Sequence, residues 1–548
     1  MLQRSNPFEL PTGWLARASG WPLIALLALY LIPGTLRSAP WKNEDAIYFG
    51  VVWRALESGD WLHFHLSTTL LPESPLYFWL SGVCGNLLQG WLPAPAAIRL
   101  STTLFVAASF AALYLAARRL FDKPWAGMAP LTLAGCLGLL IASHDVQPMT
   151  AALAALSVLL YGMSLIRPTA HFAAAPLPLS IATVAVGFGG LLLASGFRLL
   201  PAAGLMFAAG FIHPQRKRYA LVLVFGLGLG SAMLFAWLFA LHDRSPALAD
   251  AWIGHQLSVL DVNAHTPRLL WTHLTTLSWL AWPAWPLVAY TLWAHRQRLA
   301  SPALLGPIVL LTGLLISLSL AGESRQAWLA TMLPPFALLG VPALMAMRRG
   351  ALSLLDWFGR AVFGLLLIVV ALGWTALVFD WPTRWASKAA KLAPGFVPSI
   401  DPLAVAFSLL VIGAWVLTIV ASRASPQKSL FAWTAGLIAF WATAVALWMP
   451  WVDYQRSYRQ VATEIERTLG DNKGCLITTN LSEAQFAAID YYLDQPMHRQ
   501  RPAQDKCQAW LLTTSTGTKT PAETGWKRVW QGGRPGEYNE RFHLYRRQ

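Results

Sequence analysis

Charged side chains are scarce in this sequence. Only 12% of its 548 residues are Asp, Glu, Lys or Arg, whereas 56% are hydrophobic and the mean hydropathy is +0.47. A soluble core needs far less apolar surface, so the composition indicates a polytopic membrane protein. A net charge of +15 would favour nucleic-acid binding in a soluble chain. Here the basic residues stand in short links between apolar runs, which is an orientation signal, and no nucleic-acid partner is expected.

Cysteine is also rare, with four in the chain. Cys84 and Cys136 lie in apolar stretches and are expected to be small buried residues. Cys475 and Cys507 lie in the polar C-terminal region, where a disulfide between them would stabilise a small extracytoplasmic domain by roughly 3 to 4 kcal/mol. Two unpaired buried thiols are the alternative. A cleavable signal peptide is not evident, because residues 1–20 are polar, and the N-terminus is expected in the cytoplasm.

Thirteen apolar runs approach the length of about 20 residues that a membrane crossing needs. An odd number of crossings places the two termini on opposite sides. A further run, 76–93, would put four basic clusters outside if it were counted, against the positive-inside rule, so it is expected to be an aromatic-rich helix in the membrane interface. The predicted spans are 21–37, 100–117, 125–142, 149–166, 178–194, 199–213, 219–241, 277–294, 302–320, 327–346, 355–379, 403–421 and 429–450.

With this count the loop 38–99 and the segment 451–548 face away from the cytoplasm, as do five shorter loops. The segment 451–548 alternates strand-like GCLITTN and QAWLLTT with helix-like SEAQFAAIDYYL, which predicts a small α/β domain. The predicted fold is therefore a polytopic α-helical membrane domain, 1–450, with interface helices in its first outer loop, followed by a small C-terminal α/β domain.

The first outer loop carries an acidic pair, Glu44 and Asp45, directly after the first span. Adjacent carboxylates at the mouth of a membrane protein are costly to desolvate and usually functional, so chemistry at the outer bilayer face is the first hypothesis. Ion pairing with basic neighbours is the alternative. Glu73, later in the loop, either caps the following helix or joins His65 in a divalent metal site, although the His-x-His pair has no further spaced ligand.

The segment NEDAIYFGVVWRALESGDWLHFHLSTTLLPESPLYFWL resembles the first outer loop of the bacterial lipid A aminoarabinose transferases. It is similar, too, to their relatives among the GT-C glycosyltransferases that use polyprenyl-phosphate sugars, including the protein mannosyltransferases. That family has an Asp-Glu pair, an Arg-Tyr pair, Gly-Asp-Trp and a Glu-Lys-Pro element before an aromatic helix. Weaker similarities follow in the second outer loop and near Arg325. The corresponding positions in the first loop are Glu44, Asp45, Tyr48, Gly59, Asp60, Trp61, His65 and Glu73.

The resemblance implies a GT-C fold and a bacterial inner-membrane glycosyltransferase with a periplasmic site and a periplasmic C-terminal domain. It would move a monosaccharide from polyprenyl (undecaprenyl) phosphate to lipid A, lipopolysaccharide or another glycan. Asp45 or Glu44 would be the general base for an acceptor hydroxyl, with Asp145 as a further catalytic carboxylate. Tyr48, His65, Glu73, Gln147 and His255 are expected to contact the substrates.

Two departures from the family pattern concern phosphate binding. Ser74 and Ser195 stand where the family has lysines. Arg198 is expected to replace them, followed by Arg325 and Arg54, because the planar guanidinium binds two phosphate oxygens together. The one cofactor considered is a divalent metal at Glu73 and His65.

Three alternatives remain. A protein O-mannosyltransferase-like enzyme would share the chemistry, and an inactive partner protein would explain the missing lysines. A lipid-linked sugar transporter or flippase should have internal repeats and polar groups near the bilayer midplane. Neither feature is apparent, because the ionisable residues gather at the outer ends of the spans.

Overall fold

The computed structural model describes fourteen stretches of the chain, and every structural statement concerns them. They are residues 20–36, 39–41, 43–66, 69–70, 73–170, 172–212, 214–259, 266–320, 326–421, 426–470, 476–493, 497–499, 510–516 and 525–548.

Nineteen α-helices form the described part of the chain up to residue 456. A two-residue hairpin, β1 (His65–Leu66) with β2 (Thr69–Leu70), interrupts them, and a 3-10 stretch, Gln326–Met332, leads into the fifteenth. The helices are α1 (Trp21–Leu31), α2 (Glu44–Ser58), α3 (Leu76–Leu88), α4 (Ala94–Phe121), α5 (Met128–Ala134), α6 (Leu137–Ala142), α7 (Met149–Leu165), α8 (Leu177–Ser195), α9 (Leu200–Gly210), α10 (Arg216–Arg244), α11 (Pro246–Ser258), α12 (Thr266–Leu280), α13 (Ala284–Ala294), α14 (Leu305–Leu320), α15 (Leu333–Ala346), α16 (Arg349–Phe379), α17 (Thr383–Leu392), α18 (Pro402–Ala421) and α19 (Pro426–Arg456).

Each predicted span overlaps at least one of these helices. Seven helical segments of the described chain are long and apolar enough to cross a membrane, and shorter apolar helices stand between them, as expected of a multi-pass membrane protein. The seven are Ala94–Phe121, Leu177–Ser195, Arg216–Arg244, Gln326–Ala346, Gly350–Phe379, Pro402–Val420 and Gln427–Arg456.

Two predicted spans are wrong in detail, because each is broken in its interior. The span 125–142 consists of α5 and α6, and the span 277–294 contains the end of α12 and all of α13. Pro283 explains the second break, since proline has no N–H for the helix ladder and its ring clashes with the preceding turn. A hydrogen bond joins the two breaks, because the backbone N–H of Leu137 donates to the carbonyl of Trp282 at 3.2 Å.

The helix α3 is shorter than a full membrane crossing, as the predicted interface helix would be. Its 13 residues reach only about 20 Å, against about 30 Å of hydrocarbon. A contact is compatible with an interface position, because the backbone N–H of Val146 donates to the Asp45 carboxylate at 2.8 Å. With α3 excluded, two crossings separate these residues and both lie on one side of the membrane. A third crossing would place them on opposite sides.

The C-terminal residues form two helices, α20 (Arg459–Leu469) and α21 (Glu483–Tyr492), and a five-stranded sheet. The sheet order is β4-β3-β5-β7-β6, with β4, β3 and β5 parallel and β7 antiparallel to both β5 and β6. The strands are β3 (Leu476–Thr479), β4 (Met497–His498), β5 (Trp510–Thr516), β6 (Trp526–Gly532) and β7 (Glu540–Arg547).

This C-terminal unit is anchored on α2 through α21. The approach requires a glycine on α2, because a Cβ built at Gly50 would lie 2.6 Å from the Cβ of Ala487. Beside it, the Arg54 guanidinium pairs with the Asp490 carboxylate at 2.7 Å, and the Tyr491 ring packs edge-on against Phe49. The C-terminal unit therefore holds the same helix that carries the acidic pair at its first turn.

Candidate functional site

A cavity of about 780 Å³ opens where four segments of the chain meet. They are the start of α2, the loop between α6 and α7, the 3-10 stretch and the second half of α19. The cavity brings together three carboxylates that the sequence placed in two separate loops. Its polar lining residues are Asn43, Glu44, Asp45, His144, Asp145, Gln147, Gln326 and Arg456, and its aromatic ones are Trp41, Trp441 and Trp448.

Asp45 is 4% exposed and its carboxylate is saturated with hydrogen bonds. One oxygen accepts from the backbone N–H of Val146 at 2.8 Å, and the other accepts from that of Trp41 at 3.0 Å. Arg99 donates to both oxygens, at 2.8 Å and 3.3 Å. The first turn of α2 adds its dipole, which favours a negative charge there. Asp45 therefore ties three segments of the chain together.

Arg99, which sequence reasoning missed, is the counter-ion. Its side chain is 1% exposed on the first turns of α4, and it also donates to the Ala39 carbonyl at 2.7 Å. A buried ion pair keeps its charges only when its remaining donors and acceptors are satisfied, as here. Arg99 and Asp45 are 54 residues apart in the sequence, so no local pattern pairs them.

Asp145 has the opposite environment. Its side chain is half-buried on the cavity wall, and within the described chain its carboxyl oxygens have no hydrogen-bond partner. Burial, and then the negative charge of Asp45, raise the pKa of Asp145 to about 8, although Arg99 and Arg456 act against them. A carboxyl group with this pKa, open to a cavity, can exchange a proton with a bound molecule near neutral pH.

The loop that carries Asp145 is fixed through its backbone. The Thr102 hydroxyl donates to the Asp145 carbonyl at 2.8 Å and lies 2.7 Å from the Tyr77 hydroxyl. That phenol in turn accepts from the backbone N–H of Gln147 at 3.1 Å. The Gln147 side chain donates to Glu44 at 3.3 Å, which links the two acidic loops directly across the cavity.

The far wall of the cavity comes from α19. Arg456 is exposed at the end of this helix and lies over the Trp41 ring at 5.6 Å. The Trp41 indole N–H donates to Asp453 at 2.6 Å. Trp441 and Trp448, seven residues apart on one face of α19, supply apolar surface. The site thus combines carboxylates, a cation and an aromatic wall.

His144 serves the packing of this site. It is 3% exposed, and its ring nitrogens lie 2.6 Å and 2.8 Å from the carbonyl oxygens of Leu140 and Tyr30. The indole N–H of Trp441 donates to the same ring at 3.2 Å. Burial lowers the pKa of His144, so a structural role fits it better than proton transfer.

Several other predicted residues lie away from the cavity lining. Arg54 pairs with Asp490 of the C-terminal unit. Arg198 is buried, and its guanidinium lies 4.3 Å from the centre of the Trp328 ring. Trp328 belongs to the 3-10 stretch, whose first residues do line the cavity. His255 is half-buried on α11. Arg325, Cys475 and Cys507 lie outside the described residues.

The predicted metal ligands, Glu73 and His65, each have other contacts. Glu73 is 9% exposed and accepts from the Tyr48 hydroxyl at 3.3 Å, whereas His65 stacks on His63 with ring centroids 4.9 Å apart. No group of three or more His, Cys, Asp or Glu side chains in the described ranges could hold a metal ion. Cys84 and Cys136 are buried free thiols, as the sequence predicted.

Solved structures share this architecture. ArnT from Cupriavidus metallidurans bound to undecaprenyl phosphate aligns with a TM-score of 0.66 at 15% identity, over 95% of this chain and 97% of that one. Its apo state aligns with a TM-score of 0.68 at the same identity and coverage. This chain has the fold of ArnT. No protein-family profile and no curated protein matches the sequence.

The likeness to ArnT confirms the predicted fold class, a polytopic helical GT-C architecture with a small C-terminal sheet. It agrees with the resemblance of the first outer loop to that of the lipid A aminoarabinose transferases. The alignment spans nearly the whole of both chains, so the likeness includes the C-terminal unit as well as the membrane part.

Proposed function

We propose that this protein is a bacterial inner-membrane glycosyltransferase that moves a monosaccharide from a polyprenyl phosphate to a periplasmic lipid or glycan acceptor. The membrane domain, 1–450, would carry the site, with the loop 38–99 as part of it and the α/β domain, 451–548, in the periplasm. The observation that carries the proposal is the cavity, which joins Asp45, Asp145 and Arg456 to an aromatic wall. ArnT, whose fold the chain shares, binds undecaprenyl phosphate.

In this reaction the oxygen of an acceptor hydroxyl attacks the anomeric carbon of the sugar. The bond from that carbon to the phosphate oxygen breaks, and the polyprenyl phosphate leaves. A single displacement inverts the anomeric configuration. The hydroxyl is a weak nucleophile near neutral pH, so its proton must pass to a base within about 3 Å.

Asp145 fits the role of that base better than Asp45, one of the two carboxylates that the resemblance suggested for it. A base needs an unoccupied lone pair and a pKa near the working pH. Every oxygen of Asp45 is engaged by Arg99 or a backbone N–H, whereas Asp145 faces the cavity with a raised pKa. Asp45 then orients the loop of Asp145 and raises the proton affinity of that residue through its charge.

The leaving phosphate needs a cation, because negative charge develops on it as the bond breaks. Arg456 takes this role in the proposal, since it lines the cavity and faces Asp145. Trp441 and Trp448 offer an apolar surface for the first units of the prenyl chain, each buried methylene of which contributes about 0.8 kcal/mol. Arg198 and Arg325 stay predictions for further phosphate contacts.

The proposal is tested in a deletion strain. Mass spectrometry of lipopolysaccharide and surface glycans should find a lost mass that names the sugar and its carrier. The wild-type gene should restore that mass, and an Asp145→Asn variant should not, although it reaches the membrane in equal amount. Asp243→Asn is the matched control, because Asp243 is exposed at the outer end of α10, away from the cavity lining.

The same experiment separates the rival functions. If the protein were a transporter, its deletion would stop the transport of a lipid-linked sugar. Transport needs no general base, so the Asp145→Asn variant would restore the missing mass. An inactive partner protein would behave in the same way. Restoration by Asp145→Asn at normal expression would remove Asp145 as the base, and restoration by Asp45→Asn as well would overturn the proposed transferase.

A further inference from the structure

Four arginines converge on one loop at the end of α7 farthest from the cavity. This loop, residues 166–176, joins α7 to α8, and α7 begins beside Asp145 at its other end. The arginines come from three places: the last turn of α4, the loop itself and the first turn of α10. They are Arg118, Arg119, Arg167 and Arg218.

Backbone carbonyls and aromatic rings hold these side chains in place. Arg119 donates to the carbonyls of Ser164 and Ala173, and both Arg118 and Arg119 lie over the Phe172 ring, at 5.7 Å and 5.5 Å. Arg167 donates to the Gly210 carbonyl and lies 4.8 Å over the Tyr219 ring, and Arg218 donates to the Ala175 carbonyl. The guanidinium groups are therefore fixed on the protein, which is unusual for solvated surface arginines.

No carboxylate neutralises this arginine cluster in the part of the chain that the structure describes. The nearest acid in sequence, Asp122, uses its carboxylate to cap the backbone N–H of Lys123. The Nε atoms of Arg118, Arg167 and Arg218 are buried and have no hydrogen-bond partner. Several fixed positive charges with no carboxylate partner favour the binding of an anion by the outer nitrogens of their guanidinium groups.

A crevice beside the cluster indicates which anion. Arg167 and Tyr219 line it together with Gly210 and a set of apolar side chains between the helices. The crevice holds about 50 Å³, so a lipid could bury only a few carbon atoms of its chain there, whereas a free phosphate would gain nothing from the apolar wall. The apolar lining residues include Leu120, Leu160, Met163, Met206 and Leu338.

We propose that Arg118, Arg119, Arg167 and Arg218 bind the phosphate headgroup of an anionic membrane lipid at the predicted cytoplasmic face. Guanidinium groups match phosphate oxygens in pairs, and basic pockets between membrane helices suit such headgroups. The inference does not depend on the proposed transferase activity. It assigns a second lipid site, at the opposite end of the molecule from the cavity.

The orientation rule alone does not explain the cluster, as Arg296 demonstrates. That residue belongs to another basic link on the same predicted side, is exposed, and contacts only its own helix through the ring and carbonyl of Trp293. Arg296 carries the same charge, but it does not belong to the arginine cluster and does not line the crevice. Arg296→Gln is therefore the matched control for substitutions in the cluster.

The test uses the full-length chain, purified in detergent and stripped of lipid. Cardiolipin, phosphatidylcholine and inorganic phosphate are added separately, and binding is followed by native mass spectrometry and by the melting temperature. The wild type should retain cardiolipin and melt at a higher temperature with it. At about 1 kcal/mol for each basic residue, Arg118→Gln with Arg167→Gln should weaken cardiolipin binding by roughly tenfold or more. Arg296→Gln should stay within about twofold of the wild type.

Three outcomes would overturn the inference: equal cardiolipin retention by the folded double variant, equal binding of phosphatidylcholine, or a full melting shift from inorganic phosphate alone. If the double variant does not fold, Arg118→Lys with Arg167→Lys replaces it. That variant keeps the charge but loses the paired donors, so it should bind cardiolipin more weakly than the wild type. Unchanged affinity in it, together with an unchanged requirement for anionic lipid, would contradict the proposed guanidinium contacts.

Discussion

The start of α2 and the loop before α7 each bring one aspartate to the same cavity, and the two environments are opposite. Asp45 is closed off by Arg99 and two backbone N–H groups. Asp145 is open to the cavity, and its pKa is raised to about 8 by burial and by the charge of Asp45. The charge of Asp45 is therefore neutralised by Arg99 and its position is fixed, whereas Asp145 remains able to exchange a proton near neutral pH.

This difference indicates a division of roles that residue type alone does not reveal. A carboxylate in a buried ion pair holds several segments of the chain together. Removing either partner leaves the other charge buried and unpaired, which lowers stability. An uncompensated carboxylate exchanges protons at the pH where it works. Substitutions at the first should therefore act mainly on stability, and substitutions at the second mainly on activity.

The largest effect is expected for Asp145→Asn. The amide of Asn cannot take up the proton of the attacking hydroxyl, so sugar transfer in proteoliposomes should fall by about 10² to 10⁴-fold. The midpoint of thermal unfolding near neutral pH should rise rather than fall, because the Asp145 carboxyl has no described hydrogen-bond partner to lose and its ionisation is disfavoured in the folded state. Asp45→Asn is the contrasting variant, with a lower unfolding midpoint. A larger activity loss in a fully stable Asp45→Asn would reverse the two roles.

Next in size is the stability loss in Arg99→Leu. This change leaves the Asp45 carboxylate buried without its cation, which costs about 3 to 5 kcal/mol. Chemical denaturation of the purified protein measures it. Adding Asp45→Asn to Arg99→Leu should recover part of the loss, because the unpaired charge is then gone. A double variant that is no more stable than Arg99→Leu would show that the ion pair is not the cause.

The sequence could predict part of this site. The sequence predicted that the loops of Glu44, Asp45 and Asp145 face the same side of the membrane, and all three residues line one cavity. That prediction depended on leaving α3 out of the spans, and the contact of Asp45 with Val146 is compatible with it. These features depend on local sequence and on counting crossings.

The environment of each carboxylate could not be predicted. Asp45 is compensated by a side chain from another helix, and that pairing depends on how α2 and α4 pack. Arg456 lies in a segment that the sequence placed beyond the last span, although α19 continues through it. The broken spans at Cys136 and Pro283 likewise depend on a hydrogen bond between two distant segments.

The pH dependence of transfer should follow Asp145. As a base it must be ionised, so below its pKa of about 8 the rate should rise about tenfold per pH unit and then level off. The same raised pKa means that the folded state holds this proton more tightly than the unfolded chain. Its contribution to stability is therefore present at low pH and lost as the pH rises through 8. Asp145→Asn should remove both dependences, and a rate that is flat from pH 6 to 8 in the wild type would exclude this base.

The smallest effect, and the finest test of the comparison, is expected for Arg456→Gln. Arg456 is exposed, so its charge is screened and its contact with a donor phosphate should be worth about 1 kcal/mol, or roughly a fivefold rise in KM for the donor. Its positive charge also lowers the pKa of Asp145. Removing it should therefore move the rise in the pH profile to higher pH, whereas a purely structural role would leave the profile in place. Arg459→Gln, on the neighbouring helix α20 and outside the cavity lining, is the matched control.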